Sequence, residues 1–300
     1  MKAFYFLLVS KIFLDIHEPV KHNARIMNRL NRDQRAKIIA ALVEGNSLRA
    51  VARMCDVDFN TVLKLLPEIG KACAEYQRHV FVNLPCRRIQ CDEIWSFFYA
   101  KEKNVPLEKQ GQFGFGNVWT WVALDADTKL VPAWAVGSRD AQTAYGFIQD
   151  LADRLAHRVQ LTTDGHRVYL EAVEAAFGGN VDYAMLVKMY GSDREAEATY
   201  SSAECIGCRT AVICGSPNPR HVSTSYVERQ NLTMRMQMRR FTRLTNAFSK
   251  KVANHEAAIA LHYMHYNFWR IHQTLRVTPA MEAGVTDHVW SLEEVTNLAG

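Results

Sequence analysis

The sequence has 300 residues, is 48% hydrophobic and 22% charged, and carries a formal net charge of +5 with a calculated pI of about 8.8. That composition marks a globular protein with room for one catalytic-sized domain plus something small. Its seven cysteines, odd in number and scattered, are those of reduced cytosolic thiols rather than of a disulfide framework, and a cytoplasmic location is expected.

In chain order, M-K-A-F-Y-F-L-L-V-S comes first, a short apolar run behind one Lys. It is too short to span a bilayer, and no small-residue cleavage site follows it. Residues 1–26 read as an extension without function, the working chain starting near Met27. No other run is long enough for a transmembrane helix, so no membrane partner is expected.

Asp33–Glu44 predicts a helix with Ile38, Ile39 and Leu42 on one side, stopped by Gly45 and Asn46. Ser47 can cap a second helix, Leu48–Met54. Asn60 opens a third, Thr61–Leu66, ended by Pro67. Helix, tight break and helix make a helix-turn-helix pattern over residues 27–70. Asn60, Thr61 and Lys64 would then face a DNA major groove, with Arg49 and Arg53 near the phosphate backbone. Residues 71–87 read as a linker.

Beyond Pro85 the periodicity changes from helical to alternating. Ile89–Tyr99, Asn117–Asp125 and Leu130–Val136 predict three strands of an antiparallel meander. A helix over Asp140–His157, a strand Val159–Thr163 ending in Asp164-Gly165, a helix Arg167–Phe177 and a strand Val181–Lys188 follow. The order βββαβαβ predicts an α/β fold of the ribonuclease H-like kind over residues 88–275, a mixed sheet with flanking helices. A loop insertion falls at about residues 190–220, and residues 276–300 read as a tail.

In that fold the first strand is central and the fourth lies beside it. Asp92 and Asp164 can therefore sit side by side at one edge of the sheet, and a later helix can bring Glu228 over the same point. A carboxylate in a central strand is expensive to bury unless it is paired or holds a cation. Magnesium, or manganese in its place, takes hard oxygen ligands together with substrate phosphates. Two such ions roughly 4 Å apart serve in-line phosphoryl displacement. Glu93 competes with Asp92, since alternation turns one of the two toward the site and the other away. Asp125 and Asp127 read as turn residues, and His166 as a phosphate contact or a helix cap.

Glu228 opens a basic stretch: seven Lys or Arg and no acid follow it through Lys251. On a helix Arg235 lies seven residues on, which returns almost to the direction of Glu228 and places an acid and a guanidinium on one face. Arg235, Arg239, Arg240 and Arg243 are candidates for gripping DNA phosphates.

The segments C-D-E-I-W-S-F, Q-F-G-F-G-N-V-W-T-W, L-T-T-D-G-H, S-T-S-Y-V-E-R-Q-N and H-Q-T-L-R-V-T-P-A-M-E-A-G-V together resemble bacterial insertion-sequence transposases of the IS-one type, which carry a DDE catalytic domain. The resemblance runs from about Gln34 to the C-terminus. It implies that Asp92, Asp164 and Glu228 are the catalytic, metal-binding triad. It also implies that Arg235 is the basic residue this family places a fixed step after its Glu. The implied activity is cleavage of element ends and joining of the 3′ ends to target DNA, with a divalent metal. Two ends must be handled together, so a homo-oligomer on DNA is expected. The Cys-based zinc motif that such relatives often carry before the helix-turn-helix is not visible.

Cys205, Cys208 and Cys214 include a C-x-x-C that fits half a zinc site, with Cys214 or His221 to complete it. The spacing matches no finger, so structural zinc is disfavoured against ordinary loop cysteines. The helix predicted over Ala253–Trp269 is rich in His and aromatic residues that suit core packing. Asn267, Arg270, His272 and Gln273 are candidates for the DNA backbone.

Overall fold

The computed structural model describes residues 30–190, 205–242 and 247–299. The expected N-terminal extension lies outside the described residues.

Three helices open the described chain: α1 (Arg32–Val43), α2 (Leu48–Met54) and α3 (Phe59–Val80). Ser47 caps α2 by accepting from the Ala50 amide, at 3.2 Å. Asp58, not Asn60, caps α3 and accepts from the Asn60 amide at 2.8 Å. The third helix does not stop at Pro67. It runs on to Val80, through the expected boundary at residue 70 and into the expected linker. A proline inside a helix forfeits one hydrogen bond and costs about 3 kcal/mol. Here a buried stripe of Val62, Leu65, Leu66, Ile69 and Cys73 on either side of Pro67 offsets that loss.

The sheet follows: β1 (Arg88–Phe98), β2 (Gly116–Asp125), β3 (Ala133–Gly137), β4 (Val159–Asp164), β5 (Val181–Tyr190) and β6 (Cys205–Cys214). Helices α4 (Ala141–Arg154) and α5 (Val168–Phe177) connect β3 to β4 and β4 to β5. The strand order is β3-β2-β1-β4-β5-β6. β1 is antiparallel to β2 and parallel to β4, and β4 is parallel to β5. Five strands in this order resemble the ribonuclease H-like sheet expected from the sequence. The sixth was not expected. β6 pairs antiparallel with β5 where an insertion loop and loop cysteines are predicted. No residue of β6 is buried, so the strand lacks an apolar face to announce it.

Helices α6 (Ser225–Gln237) and α7 (Val252–Met264) cover one face of the sheet. Val227 and Met234 of α6 and Ile259 and Tyr263 of α7 pack with Ile94, Val122 and Leu124. Trp121 points to the other face, against Phe147 of α4 and Tyr169 of α5. A π-helical turn, His265–Trp269, extends α7. The short helices α8 (Pro279–Glu282) and α9 (Leu292–Asn297) follow, so the stretch expected as a tail is folded, with Ala280 and Val295 fully buried.

Asn267 is fully buried and clamps the backbone of Val131, accepting from its amide at 3.0 Å and donating to its carbonyl at 3.1 Å. A side chain so committed is not a DNA contact. Among the described residues no helix is long and apolar enough to cross a membrane.

Candidate active site

The site begins where the pairing of β1 with β4 ends. The two strands run in register from Arg88↔Gln160 to Cys91↔Thr163, and β4 stops at Asp164. β1 continues past that end, still paired with β2. Asp92 and Glu93 are thus the first β1 residues without a β4 neighbour. They point to opposite faces, as alternation requires. With no strand between them, both carboxylates reach around the end of β4 toward Asp164. Among the described residues, Asp92, Glu93 and Asp164 form a group whose ligand oxygens all lie within 4.8 Å of one another.

Each carboxylate is held by a different donor. Asp92 faces α6, and its Oδ2 accepts from Asn231 Nδ2 at 2.9 Å. Asp164 Oδ1 accepts from the His166 amide at 2.9 Å, so its own turn fixes it. Glu93 faces α5 and accepts from the Arg139 guanidinium at 3.1 Å, and Arg139 also donates to Asp164 Oδ2 at 3.5 Å. The Arg139 guanidinium lies 4.9 Å from the centre of the Trp119 ring, which braces it.

Glu228 stands in the first turn of α6. That helix is docked by Gln90 of β1, whose side-chain oxygen accepts from the amides of Tyr226 and Val227 at 2.9 and 3.1 Å. Two of the amides left open at a helix start are satisfied this way by the strand beneath it. Glu228 accepts from Thr224 and forms an ion pair with Lys188 of β5. It is not a member of the tight acidic group, but it lines the same cleft. That cleft, of about 430 Å³, is bounded by Asp92, Arg139, Asp164, His166, Lys188 and Glu228.

The electrostatics follow from this crowding. Burial, then the charge of Asp164, pushes the Asp92 carboxyl up to about 6. Glu228 adds to the rise, while the Glu93 amide and Asn231 counter it. Burial and then Asp164 push Glu93 up to about 7, against the pull of Tyr169 and Arg139. The Tyr169 hydroxyl lies beside Glu93 without reaching hydrogen-bond geometry. Glu93 Oε1 is accordingly buried with no hydrogen-bond partner among the described residues. Burial, then Arg139, lowers the His166 imidazole, which favours its neutral form.

A divalent cation fits this donor set. The oxygens are hard, burial raises two of the three carboxyls despite their hydrogen-bond partners, and Glu93 Oε1 is buried with no hydrogen-bond partner among the described residues. Asp92 and Asp164 could hold it, with Glu93 or Glu228 as the third carboxylate.

The basic residues divide. Arg235 lies in the last turn of α6, half-buried. Arg239 is exposed just beyond the helix, which ends at Gln237. Arg240 is turned inward, donating to Ser249 Oγ and the Asn254 carbonyl, both at 2.8 Å, and burial lowers its pKa to about 10. It braces the chain beside His255 and does not present its guanidinium to a phosphate. Arg243 lies outside the described residues. Arg49, Arg53, Asn60 and Lys64 are exposed on α2 and α3, and Thr61 is half-buried.

Arg139, Lys188 and Asn231 were not singled out from the sequence. Asn231, three residues after Glu228 and therefore on the same helix face, carried a signal that could have been read. Arg139 and Lys188 carried none, since only the sheet order brings them to the cleft.

No protein-family model matches the chain, and no curated protein matches it. Solved structures similar to it include a cryo-EM structure of the piggyBac transposase synaptic complex with hairpin DNA, at 11% identity and a TM-score of 0.48, covering 97% of this chain and 74% of that one. A crystal structure of the Mos1 mariner paired end complex with Mn matches at 15% identity and a TM-score of 0.23, covering 60% and 64%. A pre-cleavage Mos1 transpososome matches at 14% identity and a TM-score of 0.22, covering 87% and 84%.

Proposed function

We propose that this chain is a metal-dependent DNA transposase, which cleaves element ends and joins their 3′ ends to target DNA at the cleft beyond β4. The observation that carries this reading is the convergence of Asp92, Glu93 and Asp164 oxygens within 4.8 Å at the end of a central parallel strand pair, with Glu228 on the wall of the same cleft. Three of the five segments that resemble the insertion-sequence family contain these positions.

In this reading Asp92, Asp164 and Glu228 hold the cation, magnesium or manganese. Bound there, it would supply an activated oxygen nucleophile and stabilise the leaving oxygen. The remaining work belongs to the chain. Asn231 and the His166 amide fix one oxygen each of Asp92 and Asp164, and Arg139 reaches the other oxygen of Asp164 at 3.5 Å. Arg139 keeps Glu93 and Asp164 apart as charges and offers its exposed edge to a DNA phosphate. Lys188 neutralises Glu228 until a competing cation arrives. Helices α1–α3 present Arg49, Arg53, Asn60 and Lys64 to duplex DNA, and two copies act together on paired ends.

The test is cleavage and joining of labelled duplexes bearing the DNA that flanks the gene, with magnesium and the full chain. Asp92→Asn, Asp164→Asn and Glu228→Gln should each lower joining by about a hundredfold or more, with duplex binding retained. Undiminished cleavage in all three variants overturns the proposal.

A second reading is a DNA-binding protein whose sheet domain is inert. The ion pair that engages Glu228 with Lys188 favours it. Lys188→Ala separates the two, since it leaves an inert protein inert and releases Glu228 in an active one.

A further inference from the structure

Strand β6 carries a chemistry that the carboxylate cleft does not use. Cys205 and Cys208 are three positions apart, and a regular strand sends such residues to opposite faces. The ladder with β5 is interrupted here. Met189 pairs with Gly207 and Tyr190 with Cys205, which leaves Ile206 as an extra residue on β6. A bulge of this kind shifts every side chain beyond it by one step. The two sulfurs consequently meet, 3.9 Å apart and both solvent-exposed. Cys205 Sγ also lies 3.4 Å from the Gly207 carbonyl oxygen inside the bulge.

The separation is that of an S–H···S contact and also that of two sulfurs sharing one metal ion. A disulfide needs its sulfurs at about 2.05 Å. Two thiolates on one tetrahedral zinc, each at about 2.3 Å, lie about 3.8 Å apart. The observed spacing matches the second without further movement. We propose that Cys205 and Cys208 bind a thiophilic divalent cation of the zinc class at the outer edge of the sheet. The two thiolates fill two coordination positions and water the others. Binding sends both thiol protons to solvent.

Neither partner suggested by the sequence completes the set. Cys214 pairs with Tyr183 while Cys208 pairs with Lys188, and six strand residues span roughly 20 Å. His221 lies near Asp127, whose carboxyl its charge helps to lower, at the turn between β2 and β3. Among the described residues no third thiol, imidazole or carboxylate joins the pair. Among the described residues the pair thus supplies two ligands. Soft sulfur separates it from the hard oxygens of the cleft, so magnesium does not compete. Cys208 is the cross-strand partner of Lys188, the residue that pairs with Glu228, so a cation here lies one side chain away from the cleft.

The inference does not rest on the transposase reading, and its readout is spectroscopic. The reduced full chain is titrated with cobalt(II), whose bonds to thiolate give a near-ultraviolet charge-transfer band that carboxylate ligation does not. One cobalt per chain is expected at the band's end point, with displacement by zinc and no displacement by magnesium. Cys205→Ser and Cys208→Ser should each abolish the band, whereas Cys214→Ser and Asp92→Asn should keep it. In parallel, zinc should slow alkylation of Cys205 and Cys208 severalfold, mapped by mass spectrometry. Absence of the band, or a band that needs Cys214, overturns the proposal, as does alkylation at an unchanged rate.

Discussion

Asp92 and Glu93 state the residue-scale problem most sharply. Both carboxyls titrate above their ordinary range, to about 6 and about 7, chiefly because burial penalises the charged form. An acid raised in the folded state burdens folding where it is ionised. The burden is absent below the unfolded pKa near 4 and grows as pH rises through 6 and 7. A cation that binds the ionised pair removes it. Millimolar magnesium or manganese should therefore raise the melting temperature at pH 8 and have little effect at pH 5. Asp92→Asn should lose most of the metal-dependent rise. Differential scanning calorimetry across that range checks this, and an equal rise at both pH values counts against the site. The acids themselves were legible, because a carboxylate in an apolar strand is an anomaly wherever it falls. Setting Glu93 aside on alternation was sound for the strand and insufficient for the site. What alternation omits is that β1 outruns β4, a fact about pairing that no single segment contains.

At the scale of elements, α3 and α7 define the interior. They cross at Gly70, where a Cβ would overlap the Cα, the carbonyl oxygen and the Cβ of Ala257. Helices that approach so closely leave no room for a methyl. Gly70→Ala should destabilise the protein by about 1–3 kcal/mol or more, despite the better helix propensity of alanine. Chemical denaturation would show this as a lower midpoint at unchanged slope. From the sequence Gly70 looked like the end of a small domain, because Pro67 signals a stop and the compensating partner lies nearly two hundred residues away. α7 also buries its histidines. Burial, then the neighbouring charges of His265 and Arg270, lowers His262 to about 3, while burial and then Arg270 lower His265 to about 4. A base depressed in the folded state contributes fully above its unfolded pKa near 6.5. That contribution is lost as pH falls from 6.5 toward 3. His262→Leu should match the parent at pH 7.5 and become relatively more stable with each step below pH 6. A constant difference in melting temperature between the two proteins across that range would refute the account.

For the whole molecule, the sheet sets the acid cleft at one place, and the duplex contact proposed for helices α1–α3 would lie at another. Arg49, Arg53 and Lys64 are all solvent-exposed there. Each phosphate contact removed should lower the salt dependence of duplex binding by about one unit of slope. Alanine at Arg49 and Lys64 together should therefore flatten that dependence and weaken binding across sequences. Arg240→Ala should leave the slope unchanged and lower thermal stability, because its guanidinium holds Ser249 and Asn254. Fluorescence anisotropy at several salt concentrations distinguishes the two outcomes. The first five strands and the helices between them were legible because alternation and helical spacing are local signals, while their lateral order came from the ribonuclease H-like pattern they match. β6 and the inward turn of Arg240 were not, since each depends on what a distant segment leaves uncovered.

The overhang of β1 beyond β4 also governs timing. The two strands pair across some seventy residues of sequence, through the rest of the meander and a crossover helix, a closure slowed by the separation of its ends. Glu228 arrives later still, when α6 settles onto Gln90. A nascent chain that has completed the β-meander and its crossovers already displays a pair of aspartates, yet it lacks the helix-borne acid that completes the expected triad. If the proposed phosphoryl transfer takes place here, its third carboxylate is among the last parts of the cleft to be synthesised.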